Sequence, residues 1–147
     1  MQQKHRLRRE AKRSRAEAEA QLAWSPPDRS LLDAVESIYF QPLDGDPTVI
    51  MEIRRWYLNG RLADFYMEIR REDWDRGNCI EKIASADCLN HGCIHLHDEI
   101  RYPKHGQFEP FQPLRQIEDV DLNYERCIDA LIDYADMLLR REEGGRR

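Results

Sequence analysis

No apolar run in this chain approaches the roughly 18 residues that a membrane-spanning helix needs, and no apolar signal core follows the N-terminus. A soluble, cytoplasmic protein with no membrane partner is therefore expected. Cysteine is scarce and scattered: Cys79, Cys88, Cys93 and Cys127. That spacing builds no disulfide framework, and without a secretion signal free thiols are expected. No two cysteines form C-x-x-C, and the histidines follow neither a zinc-finger nor a zincin pattern. Residues 4–23 contain no Gly or Pro and almost no apolar periodicity, so they form at best a solvated helix.

What is present is charge. Charged residues make up 35% of the 147 and hydrophobic residues 41%, enough for one domain with a modest core and too little for two. The net charge of −5 divides unevenly. Residues 1–15 carry seven cations (Lys4, Arg6, Arg8, Arg9, Lys12, Arg13, Arg15) against one Glu, or +6, leaving −11 on the other 132. A basic arm on an acidic body presents two different surfaces. Clustered cations release counterions from phosphates, so RNA or another nucleic acid is the partner expected of the arm, with Arg6, Arg8, Arg9, Lys12, Arg13 and Arg15 making the contacts. With no Phe, Tyr or Trp in the arm to stack on bases, that binding would be nonspecific and salt-sensitive.

Trp24-Ser25-Pro26-Pro27-Asp28 ends the arm, because each proline disfavours helix in the residue before it. Residues 1–24 thus form a basic extension, 25–142 a single domain and 143–147 a disordered tail. Leu31, Leu32, Val35 and Ile38 fall at helical spacing and predict a short amphipathic helix. Thr48–Tyr57 and Arg61–Arg71 flank Asn59-Gly60, a hairpin signal. A two-residue loop would pair positions summing to 119 and mix the faces. A three-residue loop, Leu58-Asn59-Gly60, gives 118, with Val49 opposite Ile69, Met51 opposite Met67 and Ile53 opposite Phe65. The second register is expected, with Gly60 left-handed in a bulge.

Residues 80–86 predict a third strand, Cys88-Leu89-Asn90 a turn, and 92–97 a fourth strand. Three prolines and a glycine between 101 and 113 argue against regular structure there. Leu122, Ile128, Leu131, Ile132, Ala135, Leu138 and Leu139 mark one stripe of a helix from about 121 to 141, with Asp121 and Arg140/Arg141 suiting its two ends. The fold class is α+β: a four-stranded, mainly antiparallel sheet, a C-terminal helix on one face, and N-terminal helices.

His91-x-Cys93-x-His95-x-His97 holds three of the five histidines. In a strand these four share one face, outward, while Ile94 and Leu96 turn inward. Alternate positions are about 7 Å apart, close enough to share an ion, whereas His91 and His97 would be about 20 Å apart. A zinc site therefore needs other donors: His105 with His95 and His97, or Cys88 with His91 and Cys93. The competing chemistry is acid–base. Histidine titrates near neutrality, and Arg54, Tyr66 and Arg70 fall on the same open face. His91 or His95 as proton shuttle, with Arg54 and Arg70 on phosphate, are the parts of a metal-independent ribonuclease without cofactor. A third possibility is a partner protein or a homodimer on the sheet face around Trp56 and Tyr66.

From about residue 50 to 139 the chain resembles small bacterial α+β proteins with strands, an Asp-x-x-His-Gly-x-x-His segment and a final amphipathic helix. Here that segment reads Asp87-Cys88-Leu89-Asn90-His91-Gly92-Cys93-Ile94-His95, with one extra residue between Asp87 and His91. In layout it is also similar to the TumE-like toxins of toxin–antitoxin pairs. That resemblance implies a small protein acting on RNA or on a partner, with His91 and His95 mapping to the shared segment. A toxin-like, RNA-acting protein is the leading expectation, and an interaction module, with or without metal, the alternative.

Overall fold

The computed structural model describes residues 3–12, 23–73, 75, 78–88, 92–98 and 109–145. His91, His105, Arg13, Arg15, Trp74, the turn at Leu89-Asn90 and the stretch 101–108 lie outside these residues. Among the described residues the protein is α+β, with one antiparallel sheet and two helices. The sheet has seven strands, where four were expected. The strands are β1 (Asp33–Ala34), β2 (Ile38–Phe40), β3 (Val49–Leu58), β4 (Arg61–Asp73), β5 (Asn78–Asp87), β6 (Cys93–Asp98) and β7 (Glu109–Pro113). β3 to β7 form a meander, and β1 and β2 share the outer edge of β3. Helix α1 covers residues 3–12 and is exposed along its length; α2 is Glu118–Gly145 and packs against β4 and β5.

The extra strands come from segments read otherwise in the sequence. Leu31, Leu32, Val35 and Ile38 do not make a helix. Arg29–Leu31 is a 3-10 turn capped by Asp28, whose carboxylate accepts from the Ser30 amide, and the chain then pairs with β3. The apolar face of the sheet is taken by α2, so a second helix has nothing to bury its stripe against, whereas the β3 edge offers unpaired backbone groups. Ile38, Tyr39 and Phe40 are good strand formers. At the other edge, β7 accommodates Pro110 and Pro113 because an edge strand needs only half of its backbone groups for pairing.

The β3–β4 register corrects the hairpin expectation. The turn is the two-residue Asn59-Gly60, with φ of 50° and 80°, as a type I′ turn requires. Leu58 pairs with Arg61 and Tyr57 with Leu62, but beyond Trp56/Tyr57 the register shifts. Met51 meets Ile69, Ile53 meets Met67 and Arg55 meets Phe65, a sum of 120 rather than 118. Ala63 is the extra residue. A two-residue turn alone has odd parity and would turn Glu68 and Arg70 into the core; the bulge restores even parity, so the face assignment survives although the partners change.

The core lies between the odd-numbered face of the hairpin and α2. Val49, Met51, Ile53, Phe65, Met67, Ile69, Ala84, Ala86 and Ile94 meet Val120, Cys127, Leu131, Ala135 and Leu138. Phe65 packs edge-on against Tyr124, with ring centroids 5.8 Å apart. Leu122, expected in this stripe, is instead 69% exposed; the buried row starts at Val120 and reaches Cys127 one heptad later. The helix also begins earlier than its apolar pattern, at Glu118, with Glu118, Asp119 and Asp121 favourably placed in its first turn. It runs on to Gly145, past the last apolar residue.

A strap from the N-terminal side closes one end of the sheet. The Trp24 amide donates to the Leu114 carbonyl (2.9 Å), and the Leu114 amide to the Gly92 carbonyl (2.6 Å). Gly92 has φ +67° and lies against Ala23, leaving no room for a β-carbon. The strap thus fixes the start of the histidine strand.

Candidate functional site

The second face of the sheet carries polar residues in cross-strand rows. Arg54 pairs with Tyr66, Tyr66 with Asp87, and Asp87 with His95. The neighbouring row runs Tyr39, Glu52, Glu68, Ser85, His97. Arg54, Tyr66, Glu68 and Arg70 therefore share a face with His95 and His97, as the alternation of β3 and β4 implies. Arg54 and Lys82 on this face are more than half exposed, but several of the residues between them are buried. Glu52, Asp64, Glu68, Asp87 and His95 are buried, His95 to 2% exposure, and His97 and Cys93 are half-buried. His95 is buried among polar neighbours and does not belong to the apolar core.

The arginines expected to hold phosphate are held by carboxylates. Arg70 donates from Nη1 to Glu68 Oε2 (2.8 Å) and Glu52 Oε2 (3.3 Å), and from Nε to Glu72 Oε1 (2.7 Å). Arg54 reaches Glu52 Oε2 (2.9 Å) and lies 5.5 Å from the Tyr66 ring centre. Lys82 Nζ is 3.2 Å from Glu68 Oε1, and the Tyr66 hydroxyl donates to the same oxygen (2.9 Å). Burial works against these charges, but the ion pairs outweigh it. Glu52 is held below the usual carboxylate range by Tyr39, Arg54 and Arg70, and Glu68 by Arg70, Tyr66 and Lys82. Arg70 is raised, its bonds to Glu68 and Glu72 exceeding the cost of desolvation. Three cations facing three carboxylates make this patch an internally compensated network. Arg54 and His95 are also three strands apart, about 14 Å at the usual strand spacing.

The histidines converge with a residue that the sequence left without a role. His97 Nε2 is 3.2 Å from Asp87 Oδ2, and His95 Nδ1 is 3.9 Å from Asp87 Oδ1. One ligand atom from each of Asp87, His95 and His97 lies within 4.8 Å of the others. The register explains the grouping: Asp87 stands directly across from His95, and His97 is two residues along the same face of β6. The hairpin-like return of β6 on β5 was the available signal, since an Asp ending one strand and a histidine entering the next become cross-strand partners.

Other predicted donors go elsewhere. Cys88 follows Asp87, so alternation sends it to the opposite face, where it is a fully buried core residue with its thiol pushed well up by burial. It does not join Cys93. Cys93 lies on the histidine side but outside the Asp87–His95–His97 group, with its thiol raised by burial and by Asp87. Cys127 sits in the core, and burial raises its pKa to about 12. His91 and His105 lie outside the described residues. Of the basic arm, Lys4, Arg6, Arg8, Arg9 and Lys12 lie along exposed α1, where Arg6 pairs with Glu10.

Asp64 was also missed. It is buried on the polar face near the start of β4, where Arg29 Nε donates to its Oδ2 (2.9 Å) and the Arg29 guanidinium stacks 3.9 Å above the Trp56 ring. Burial raises its pKa more than Arg29 lowers it.

The fold and site define an antiparallel α+β protein with an aspartate–dihistidine cluster on the polar face of its sheet. In comparison with known proteins, the chain matches no family model, no curated protein and no solved structure. Among the described residues no helix is long and apolar enough to cross a membrane.

Proposed function

We propose that the protein binds a divalent transition-metal ion, zinc first, through Asp87, His95 and His97. The observation that carries this reading is the convergence of their three ligand atoms within 4.8 Å. At zinc–nitrogen and zinc–oxygen distances near 2.0–2.1 Å, the edges of a tetrahedral site are about 3.4 Å. The two contacts to Asp87, 3.2 and 3.9 Å, bracket that edge, so closure needs side-chain movements of about an ångström. Donor chemistry agrees, because imidazole and carboxylate suit zinc and two-histidine, one-carboxylate sets also hold ferrous iron. A buried carboxylate is costly in a medium of low polarity, and a dication between Asp87 and two neutral imidazoles offsets that cost. Three protein ligands leave one tetrahedral position for water, the arrangement of a reactive rather than a sealed centre.

The test uses the full chain, stripped with chelator and titrated with zinc. One equivalent should bind with a rise in Tm, and Asp87→Ala or His97→Ala should abolish both. Absence of stoichiometric binding by the wild-type protein defeats the reading.

A second reading keeps the RNA-acting, toxin-like activity. The Asp87–His97 contact supports it, since a carboxylate that orients an imidazole is what a general base needs, as do the exposed cations of α1. In that case metal-free protein arrests growth on expression, and His95→Ala and His97→Ala relieve the arrest with the fold retained. Arrest that depends on bound metal, or its persistence in both variants, excludes the metal-independent form.

A further inference from the structure

We propose that α1 of one copy docks in an acid-rimmed groove at the start of α2 of a second copy, so that two chains exchange their basic arms. Neither the metal nor the RNA reading is needed for this, since none of the described histidines lines the groove.

The groove lies where the β3–β4 turn meets α2. A half-open cavity of about 510 Å³ is walled by Tyr57 and Leu62 from the hairpin and by Ile117 and Leu122 on either side of the first turn of α2. Leu62 is buried and Tyr57 and Ile117 are half-buried, but Leu122 is 69% exposed, the most exposed large apolar residue of α2. Around it the helix is acidic. Glu118, Asp121, Leu122 and Glu125 are all exposed and form one stripe at i, i+3, i+4 and i+7. Arg61 pairs with Glu118, which leaves Asp121 and Glu125 on the rim; Arg126 lies about a quarter-turn from the centre of the stripe.

Helix α1 carries the matching pattern. Lys4, Leu7, Arg8 and Ala11 have the same spacing, with two cations framing an apolar pair. Every residue of α1 is exposed, Leu7 to 61%. A helix of about ten residues is marginal in water, so α1 needs a surface that its own chain does not give it. Charge selects the same match. Residues 1–15 sum to +6 and the rest of the chain to −11. Between copies, arm repels arm and body repels body, and arm to body is the attractive pairing. Reach permits it: Trp24 roots the arm at Leu114, three residues before Ile117, and residues 13–22 can span up to about 35 Å. A two-fold exchange makes the contact twice, the second within an already joined pair, which raises affinity without further surface.

Sedimentation velocity of the full chain, with chelator present, at about 0.02 M and about 0.5 M salt tests the proposal. At micromolar concentration a dimer is expected at low salt, and its dissociation constant should rise about tenfold or more at high salt. Asp121→Lys/Glu125→Lys should weaken the dimer about tenfold at low salt, and so should Lys4→Glu/Arg8→Glu, because each substitution counts twice in a two-fold pair. All four reversals in one chain should restore it, which a merely misfolded variant would not do. Carbodiimide treatment of mixed isotope-labelled and unlabelled chains should join Lys4 of one to Asp121 or Glu125 of the other. A monomer at low salt, or a dimer unmoved by the charge reversals, overturns the proposal. Cross-links confined to single chains also overturn it, in favour of the arm docking on its own groove.

Discussion

Replacing Arg70 by Met should be among the most damaging single changes on the polar face, although it deletes a charge and adds an apolar group of similar length. Arg70 is 14% exposed at its side chain and bridges Glu52 and Glu68, both buried, and the half-buried Glu72. Lys82 and Arg54 would remain, but both are more than half exposed and each reaches one of the two buried carboxylates. Removing one partner of a buried ion pair costs about 3–5 kcal/mol, because the stranded charge loses its compensation. At about 2–4 °C per kcal/mol for a chain of this length, Tm should fall by roughly 10 °C at pH 7. The pH dependence provides the sharper check. In the wild type, Glu52 and Glu68 titrate below their ordinary 4.5, so their contribution is present above that value and is lost as pH falls through the folded pKa. Without Arg70 burial is less opposed, so both carboxylates move upward. Their penalty is then greatest at neutral pH and disappears as they protonate, so the variant should lose less relative to wild type at pH 5 than at pH 7. Urea denaturation at both pH values measures this. A loss below about 1 kcal/mol with an unchanged pH slope would refute the buried-network account and return Arg70 to the ordinary class of surface pairs.

Deleting Ala63 should abolish the native fold, since the two-residue turn would then pair β3 and β4 with odd parity; a dispersed amide spectrum from the deletion variant would contradict the bulge. Gly92→Ala should cost about 1–3 kcal/mol through its positive φ and its contact with Ala23, and Ala23→Gly should recover part of the loss in a double-mutant cycle of thermal or urea stability. Phe65→Ala, at the centre of the sheet–helix core and in contact with Tyr124, should cost about 3–5 kcal/mol of unfolding free energy, read from urea denaturation.

How far the sequence revealed the site follows from what kind of signal each residue gives. The faces of β3 and β4 were readable because Val49, Met51, Ile53, Phe65, Met67 and Ile69 fall at alternate positions, and parity survives an error of two in register; the bulge at Ala63 was not, since Ala carries no mark of being extra. The C-terminal helix was legible from its stripe, yet Leu122 was misplaced because helical spacing does not say where the sheet ends. The spacing of Leu31, Leu32, Val35 and Ile38 points to a helix, but the free edge of β3, a property of the assembled sheet, takes this segment as strand instead. His95 and His97 were found from the density of donors on one strand. Asp87 was not, because its place opposite His95 depends on the length of the return between β5 and β6. Asp64 gave no signal at all: it is one acid among 28, and only its burial beside Arg29 distinguishes it.

Zinc K-edge X-ray absorption on the stoichiometric complex of the full chain tests the central claim most directly. The spectrum should show a first shell of nitrogen and oxygen only, at about 2.0–2.1 Å, with the multiple-scattering pattern of two imidazoles. A sulfur shell at about 2.3 Å, which would bring in a cysteine, or a single imidazole, would contradict a centre built from Asp87, His95 and His97.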